Sequence, residues 1–131
     1  MSLPVVLDVF SADPYGSSES YNAFKIAECA SAHFETTVCV WEKDAKALSK
    51  ALPSNTSVLP IPWEKRDGMG GYISKSYPDY AKRVATRVEE LGGKVLFHRV
   101  RPFSVRYVGV RPTNAAAMIV GPVAGSQLPR G

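Results

Sequence analysis

Short apolar runs alternate with amphipathic stretches along the whole chain. Pro4-Val-Val-Leu-Asp-Val-Phe10 is a valine-rich run bounded by Ser11-Ala-Asp-Pro-Tyr-Gly16, which reads as a buried strand followed by a tight loop. A serine cap with Glu19 in the first turn then opens a helix from about Ser18 to about His33. Ala23, Ala27 and Ala30, joined by Phe24, Ile26 and Phe34, give that helix a small apolar side, which lets it lie close against a sheet. The β-branched run Thr36–Trp41 predicts a second strand. A brief helix from Lys43 to Leu52 follows, closed by Pro53. Ser57–Pro62 predicts a third strand, and its prolines place it at a sheet edge or end it early. Residues 63–71 are polar and glycine-bearing and read as a surface loop. Beyond Pro78, the apolar stripe Tyr80, Val84, Val88 and Leu91 predicts a helix that Gly92-Gly93 ends, with Asp79 and Arg83 spaced to pair across one turn. Lys94–Val100 predicts a fourth strand and Ala115–Val120 a fifth, with a short irregular or helical piece over residues 102–109.

Strands that alternate with helices predict βαβ units with right-handed crossovers. The expected fold class is therefore α/β: a single three-layer α/β/α domain over residues 1–131, with a mainly parallel sheet in the order 3-2-1-4-5. In that order the connections leave strands one and four in opposite directions. The reversal opens a crevice at the carboxyl ends of those two strands, where ligands bind in open α/β sheets. Such a fold expects a further helix after the fifth strand, so the sequence reads as a piece of a longer protein or a truncated product.

The composition changes this picture in two ways. The 131 residues carry a net charge of +4, unevenly spread: residues 1–91 have a balance of −2, whereas residues 92–131 hold Lys94, Arg99, Arg101, Arg106, Arg111 and Arg130 with no acid. A basic end points to an anionic partner, or to an interface with protein outside this chain. The two cysteines, Cys29 and Cys39, have no C-x-x-C spacing and read as small buried hydrophobes in a reducing cytoplasm. No apolar run approaches the ~18–20 residues of a membrane span, and no secretory leader is visible.

Three stretches could carry chemistry. The first is the loop into the first helix, where the amides of Gly16, Ser17 and Ser18 at a helix N-terminus can cap the helix or hold an anion or sugar hydroxyl. It is neither the G-x-G-x-x-G fingerprint nor a P-loop. The second is the tip of the fourth strand, Phe97-His98-Arg99-Val100-Arg101, where His98 can donate a hydrogen bond, carry a proton or simply pack. No nucleophilic dyad and no metal-ligand spacing accompany it, so neither a metal nor another cofactor is expected. Arg99 and Arg101 are candidates for an anionic donor or acceptor. The third is Gly121-Pro-Val-Ala-Gly-Ser126, in which Gly121 and Gly125 could present amides to a phosphate or lie against another domain. The aromatics Phe97, Phe103 and Tyr107 are spaced for packing rather than for base stacking, so no nucleic-acid partner is expected.

Val6–Phe10 followed by Tyr15-Gly-Ser-Ser-Glu19, then Phe97-His-Arg-Val100, then Val120-Gly-Pro-Val-Ala-Gly-Ser126, taken in this order, resemble the N-terminal half of family 4 glycosyltransferases of the GT-B type. The resemblance runs from about Val5 to Pro129; residues 62–78 have no counterpart, Ser17 stands at a frequent glycine, and Ala124 and Ser126 replace glycines of the last motif. It implies a Rossmann-like, acceptor-side domain of an enzyme that moves a sugar from a nucleotide-sugar to an acceptor with retention and without a required metal. By the same resemblance His98 lies near the transferred sugar, Gly16 and Ser17 face the donor phosphates or the acceptor, and Gly121–Ser126 lines the cleft or leads to the hinge side. The nucleotide-sugar-holding C-terminal half is absent from this sequence, so the chain alone is expected to be inactive. Arg106 and Arg111 fit a domain interface or an anionic membrane surface. The alternative reading is a non-catalytic Rossmann-like module that binds a nucleotide or another anion.

Overall fold

The structure is a computed structural model that describes residues 3–12, 14–16, 18–64, 77–101 and 110–121, without the side chains of Ser18 and Glu19. Within those residues the chain runs β1 (Val5–Phe10), α1 (Ser18–His33), β2 (Thr36–Trp41), α2 (Glu42–Ala51), β3 (Ser57–Ile61), α3 (Tyr77–Glu90), β4 (Val95–Arg99) and β5 (Ala115–Val120). The five strands form one sheet in the order β3-β2-β1-β4-β5, with every neighbouring pair parallel. This is the Rossmann-like α/β arrangement that the alternation of apolar runs and amphipathic stretches predicts. The proline-bearing β3 takes an edge, as a strand lacking a ladder donor must.

Strand periodicity divides the core in two. Val6, Phe10, Cys39, Phe97 and Val95 face α3, which covers them with Tyr77, Tyr80, Ala81, Val84 and Val88. Leu7, Val9, Val38, Val40 and Val100 face the other way, toward Ala23, Phe24 and Ala27 of α1 and Leu48 of α2. The small residues Ala23 and Ala27 are fully buried and set the close approach of α1. For α3, each buried valine is worth ~1.5–3 kcal/mol, whereas the half-exposed Arg83–Asp79 pair at 3.0 Å contributes at most ~1 kcal/mol. The apolar stripe, not the ion pair, therefore holds the helix down. Gly92 and Gly93 both sit at φ +72°, the left-handed backbone that ends a helix without a Cβ clash.

Three expectations are corrected. Leu91 falls beyond α3 and is exposed, because the helix ends at Glu90 before the stripe can carry it inward. Cys29 is exposed on α1, and only Cys39 is a buried hydrophobe, its thiol pushed up by burial. Phe34 lies just after α1 and is 54% exposed rather than packed. The irregular piece expected over 102–109 and most of the loop 63–71 lie outside the described residues. No helix among the described residues is long and apolar enough to cross a membrane.

Candidate functional site

The carboxyl ends of β1 and β4 lie side by side at the point where the strand order reverses. At the end of β1 the backbone does something that its sequence does not announce. Phe10 has φ +55°, and the Ser11 amide folds back onto the Val9 carbonyl at 2.5 Å, a γ-turn centred on a bulky residue. The left-handed region costs a non-glycine residue ~1–2 kcal/mol. Burial supplies the compensation: the Phe10 ring is fully inaccessible, stacked on Trp41 and edge-on to Trp63, Tyr77 and Tyr80. The Asp8 carboxylate accepts the Phe10 amide at 3.2 Å and fixes the turn from below.

Asp8 is the centre of a buried polar cluster. Its Oδ2 lies 3.1 Å from Nε of Arg99, and its Oδ1 accepts the Tyr80 hydroxyl at 3.0 Å. Burial raises the Asp8 carboxyl above its ordinary value; Arg99, then Tyr80 and the Phe10 amide, act against that rise. Burial likewise raises the Tyr77 and Tyr80 phenols, helped by the Asp8 charge. Arg99, expected at the crevice, instead points into the α3 side of the sheet, fully buried over the Phe97 ring. An odd-numbered position on β4 shares the face of Val95 and Phe97, and the only carboxylate on that face of β1 is Asp8.

Arg101 lies at the rim. The β4 chain continues past Arg99, with the Val100 amide bonded to the Asp8 carbonyl at 2.9 Å. The Arg101 guanidinium then crosses to the loop after β1, donating to the Ser11 carbonyl and, at 3.1 Å, to the Ser20 hydroxyl in the first turn of α1. Its 2% exposure makes it a strut between β4 and the β1–α1 loop, one that also brings positive charge to the N-terminal turn of α1. Arg101→Met is expected to lower stability by ~1.5–3 kcal/mol, the range for a hydrogen bond to a charged group. It should also accelerate amide exchange at Ser11, Ala12 and Gly16 ahead of global opening; exchange that stays uniform across the sheet would show that the strut does not hold the loop.

His98 faces the opposite side of β4 from Arg99. It lies across from Leu7 of β1 and Ile119 of β5, half-buried, with Nε2 2.6 Å from the Gly121 carbonyl. Gly121, just past β5, has φ +138°, and its amide bonds to the Arg99 carbonyl at 3.0 Å. The geometry thus joins His98 to Gly121 and Arg101 to the first loop. Gly16 is exposed in that loop beside Tyr15, which is 94% exposed. Ser18 begins α1; Ser17 and Gly125 lie outside the described residues.

A second depression on the same edge, about 290 Å³, is lined by Glu42, Pro62, Trp63, Glu64, Asp79 and Arg83 at the ends of β2 and β3. Its floor is Trp63, whose carbonyl accepts the Trp41 indole N–H at 2.9 Å. Among the described residues no group of three histidine, cysteine or acidic side chains is placed to hold a metal ion. The residues missed by sequence reasoning, Asp8, Phe10, Ser11, Ser20 and Tyr80, share one signal between them: Asp8 is a lone carboxylate inside an apolar run. No family model matches the chain, and neither the curated proteins nor the solved structures give a match.

Proposed function

We propose that this chain is the acceptor-side, N-terminal half of a glycosyltransferase that takes its sugar from a nucleotide-sugar donor, with retention of configuration, and works in the cytoplasm. The observation that carries the reading is the joining of the β1–α1 loop to the tip of β4 by Arg101 at the reversal point of the sheet; His98 stands on the α1 face of β4, opposite Leu7 and bonded to the Gly121 carbonyl. A half-buried imidazole there, turned toward the end of β5 by the Gly121 carbonyl, is positioned by backbone rather than by a mobile side chain. The exposed Tyr15-Gly16 tip is accessible to a sugar ring or phosphate. A second domain holding the nucleotide would close the cleft. In this role Arg101 is a positioning residue for the loop, and Arg99 supports β1 from within the core.

In the full-length protein, His98→Ala should cut nucleotide-sugar turnover by a factor of ten or more, on the order of ~1.4 kcal/mol of transition-state stabilisation per tenfold, with the melting temperature little changed. Turnover equal to the parent removes His98 from the mechanism. The competing reading is a non-catalytic anion-binding module, favoured by the guanidinium that Arg101 brings to the first turn of α1. Titration of the 131-residue chain with uridine diphosphate separates the two: micromolar binding by this chain alone supports the module, and absence of binding supports the half-enzyme.

A further inference from the structure

The end of β1 is held by two kinds of contact, and a proton affects only one of them. The Asp8 carbonyl accepts the Val100 amide at 2.9 Å, a backbone bond indifferent to pH. The Asp8 carboxylate accepts the Phe10 amide at 3.2 Å and the Tyr80 hydroxyl at 3.0 Å on Oδ1, and its Oδ2 stands 3.1 Å from Nε of Arg99. The Phe10 amide links that carboxylate to the left-handed turn, and the next residue, Ser11, carries the carbonyl to which Arg101 donates. A fully buried carboxylate thus sits directly beneath the residue where the strand ends and the β1–α1 loop begins.

A carboxylate only accepts hydrogen bonds, whereas a carboxylic acid must also donate one. The fixed charge of Arg99 disfavours a proton on Oδ2, so the proton goes to Oδ1. There Tyr80 can turn its hydroxyl round and accept, because a phenol both donates and accepts. A backbone amide cannot reverse, so the Phe10 N–H loses the charged oxygen to which it donates. The other titratable and charged groups facing Asp8 keep their charge between neutral and mildly acid pH. Arg99 from β4 stays a cation. Burial raises the Tyr77 and Tyr80 phenols of α3 and the Cys39 thiol of β2, which keeps them neutral. Burial also raises the Asp8 carboxyl, with Arg99 and Tyr80 acting against it. A raised folded value means that the native state takes the proton at a pH where the unfolded chain has not, so protonation does not by itself unfold the sheet.

We propose that Asp8 is an acid-operated latch: its buried carboxylate holds the Phe10 turn at neutral pH, and its protonation frees that turn while β1 stays in the sheet. The proton comes from solvent and rests on Oδ1, and no covalent bond of the chain breaks. The change is local, since the Phe10 ring remains packed on Trp41 and Trp63 and the Asp8 carbonyl keeps the Val100 amide. What moves is the Ser11 carbonyl, and with it the grip by which Arg101 ties β4 to the first turn of α1. The latch stands apart from the sugar-transfer reading and survives its failure.

The test follows the 131-residue chain by nuclear magnetic resonance from about pH 7 to about pH 4. The Phe10 and Ser11 amide signals should shift with one midpoint, above the ordinary carboxyl value of 3.8. Their protection against exchange should fall about tenfold through that midpoint, while Val38 and Val40 of β2 keep theirs. Carboxyl carbon-13 signals follow Asp8 itself, and its midpoint should coincide with that of the two amides. Asp8→Asn should leave both amides poorly protected at neutral pH and remove their response to acid. Amides that keep their protection through the Asp8 midpoint overturn the latch. So does a response that persists in Asp8→Asn, because another group then drives it. So does loss of protection in β2 together with the turn, because acid is then unfolding the sheet. Should Asp8→Asn fail to fold, the parent chain decides: coincident midpoints support the latch and separate ones overturn it.

Discussion

Arg99→Met is expected to lower the stability of the chain by about 3–5 kcal/mol at neutral pH, the cost of leaving a buried charge without its partner. Asp8 and Arg99 are both fully inaccessible, so water cannot screen what the substitution exposes. The deficit should depend on pH, and its sign follows from the carboxyl. Burial holds the folded-state pKa of Asp8 above 3.8, with the Arg99 charge the foremost influence pulling it back. An acid whose pKa is raised by folding keeps its proton in the native state where the unfolded chain has lost it. Its contribution to stability therefore falls as pH rises from 3.8 through the folded value and recovers on acidification. Without Arg99 the folded value climbs further, so the variant regains stability on moving from about pH 7 to about pH 5 faster than the parent does. Urea unfolding at both pH values reads this directly. A deficit equal at the two would mean that lost packing over Phe97, not the stranded carboxylate, is responsible. The double variant Asp8→Leu/Arg99→Met should recover part of the loss, since neither charge of the pair then remains buried. Recovery is incomplete because the Tyr80 hydroxyl and the Phe10 amide lose their acceptor.

Phe10→Ala should cost about 3–5 kcal/mol, as large-to-small changes of a buried aromatic do. Four aromatic neighbours surround the ring, and none can collapse into the space without moving α3 or the ends of β2 and β3. The comparison that isolates the backbone is Phe10→Gly. Glycine in an ordinary strand is less stable than alanine by about 0.5–1 kcal/mol, whereas a left-handed φ penalises alanine by about 1–2 kcal/mol. At φ +55° the glycine variant should therefore equal or exceed the alanine variant in denaturation midpoint. Alanine more stable than glycine by the usual margin would mean that the turn relaxes once the ring is gone. The turn then owes its shape to aromatic packing rather than to the Asp8 and Arg101 contacts on either side.

Both predictions concern the strip of chain from Asp8 to Ser11, where the sequence was least informative about geometry. The run Val5–Phe10 reads as a strand on hydrophobicity alone, and it is one. Hydrophobicity does not reveal that the last residue turns left-handed, because that choice depends on Trp41 of β2, Trp63 just past β3, and Tyr77 and Tyr80 of α3. Arg99 and Arg101 are similar on paper, two residues apart at the same strand end. One is drawn inward by a carboxylate on the neighbouring strand, and the other reaches across to a loop carbonyl and a serine more than 80 positions earlier in the chain. Local pattern cannot separate them, because their partners are set by strand neighbours rather than by sequence neighbours.

What the sequence determined by itself is the order of layers. Alternating runs, the prolines of β3, the Gly92-Gly93 stop and the alanine face of α1 are local signals, each satisfied by backbone conformation or by one adjoining surface. With right-handed crossovers they leave the strand order 3-2-1-4-5 as the expected solution. Tertiary structure decided which polar side chains are spent inside the fold and which remain at its rim. It also decided that Phe34 and Leu91 stay exposed. These outcomes turn on long-range contacts between elements, whose energies of a few kcal/mol outweigh any local preference for a charged or apolar residue to face one way or the other.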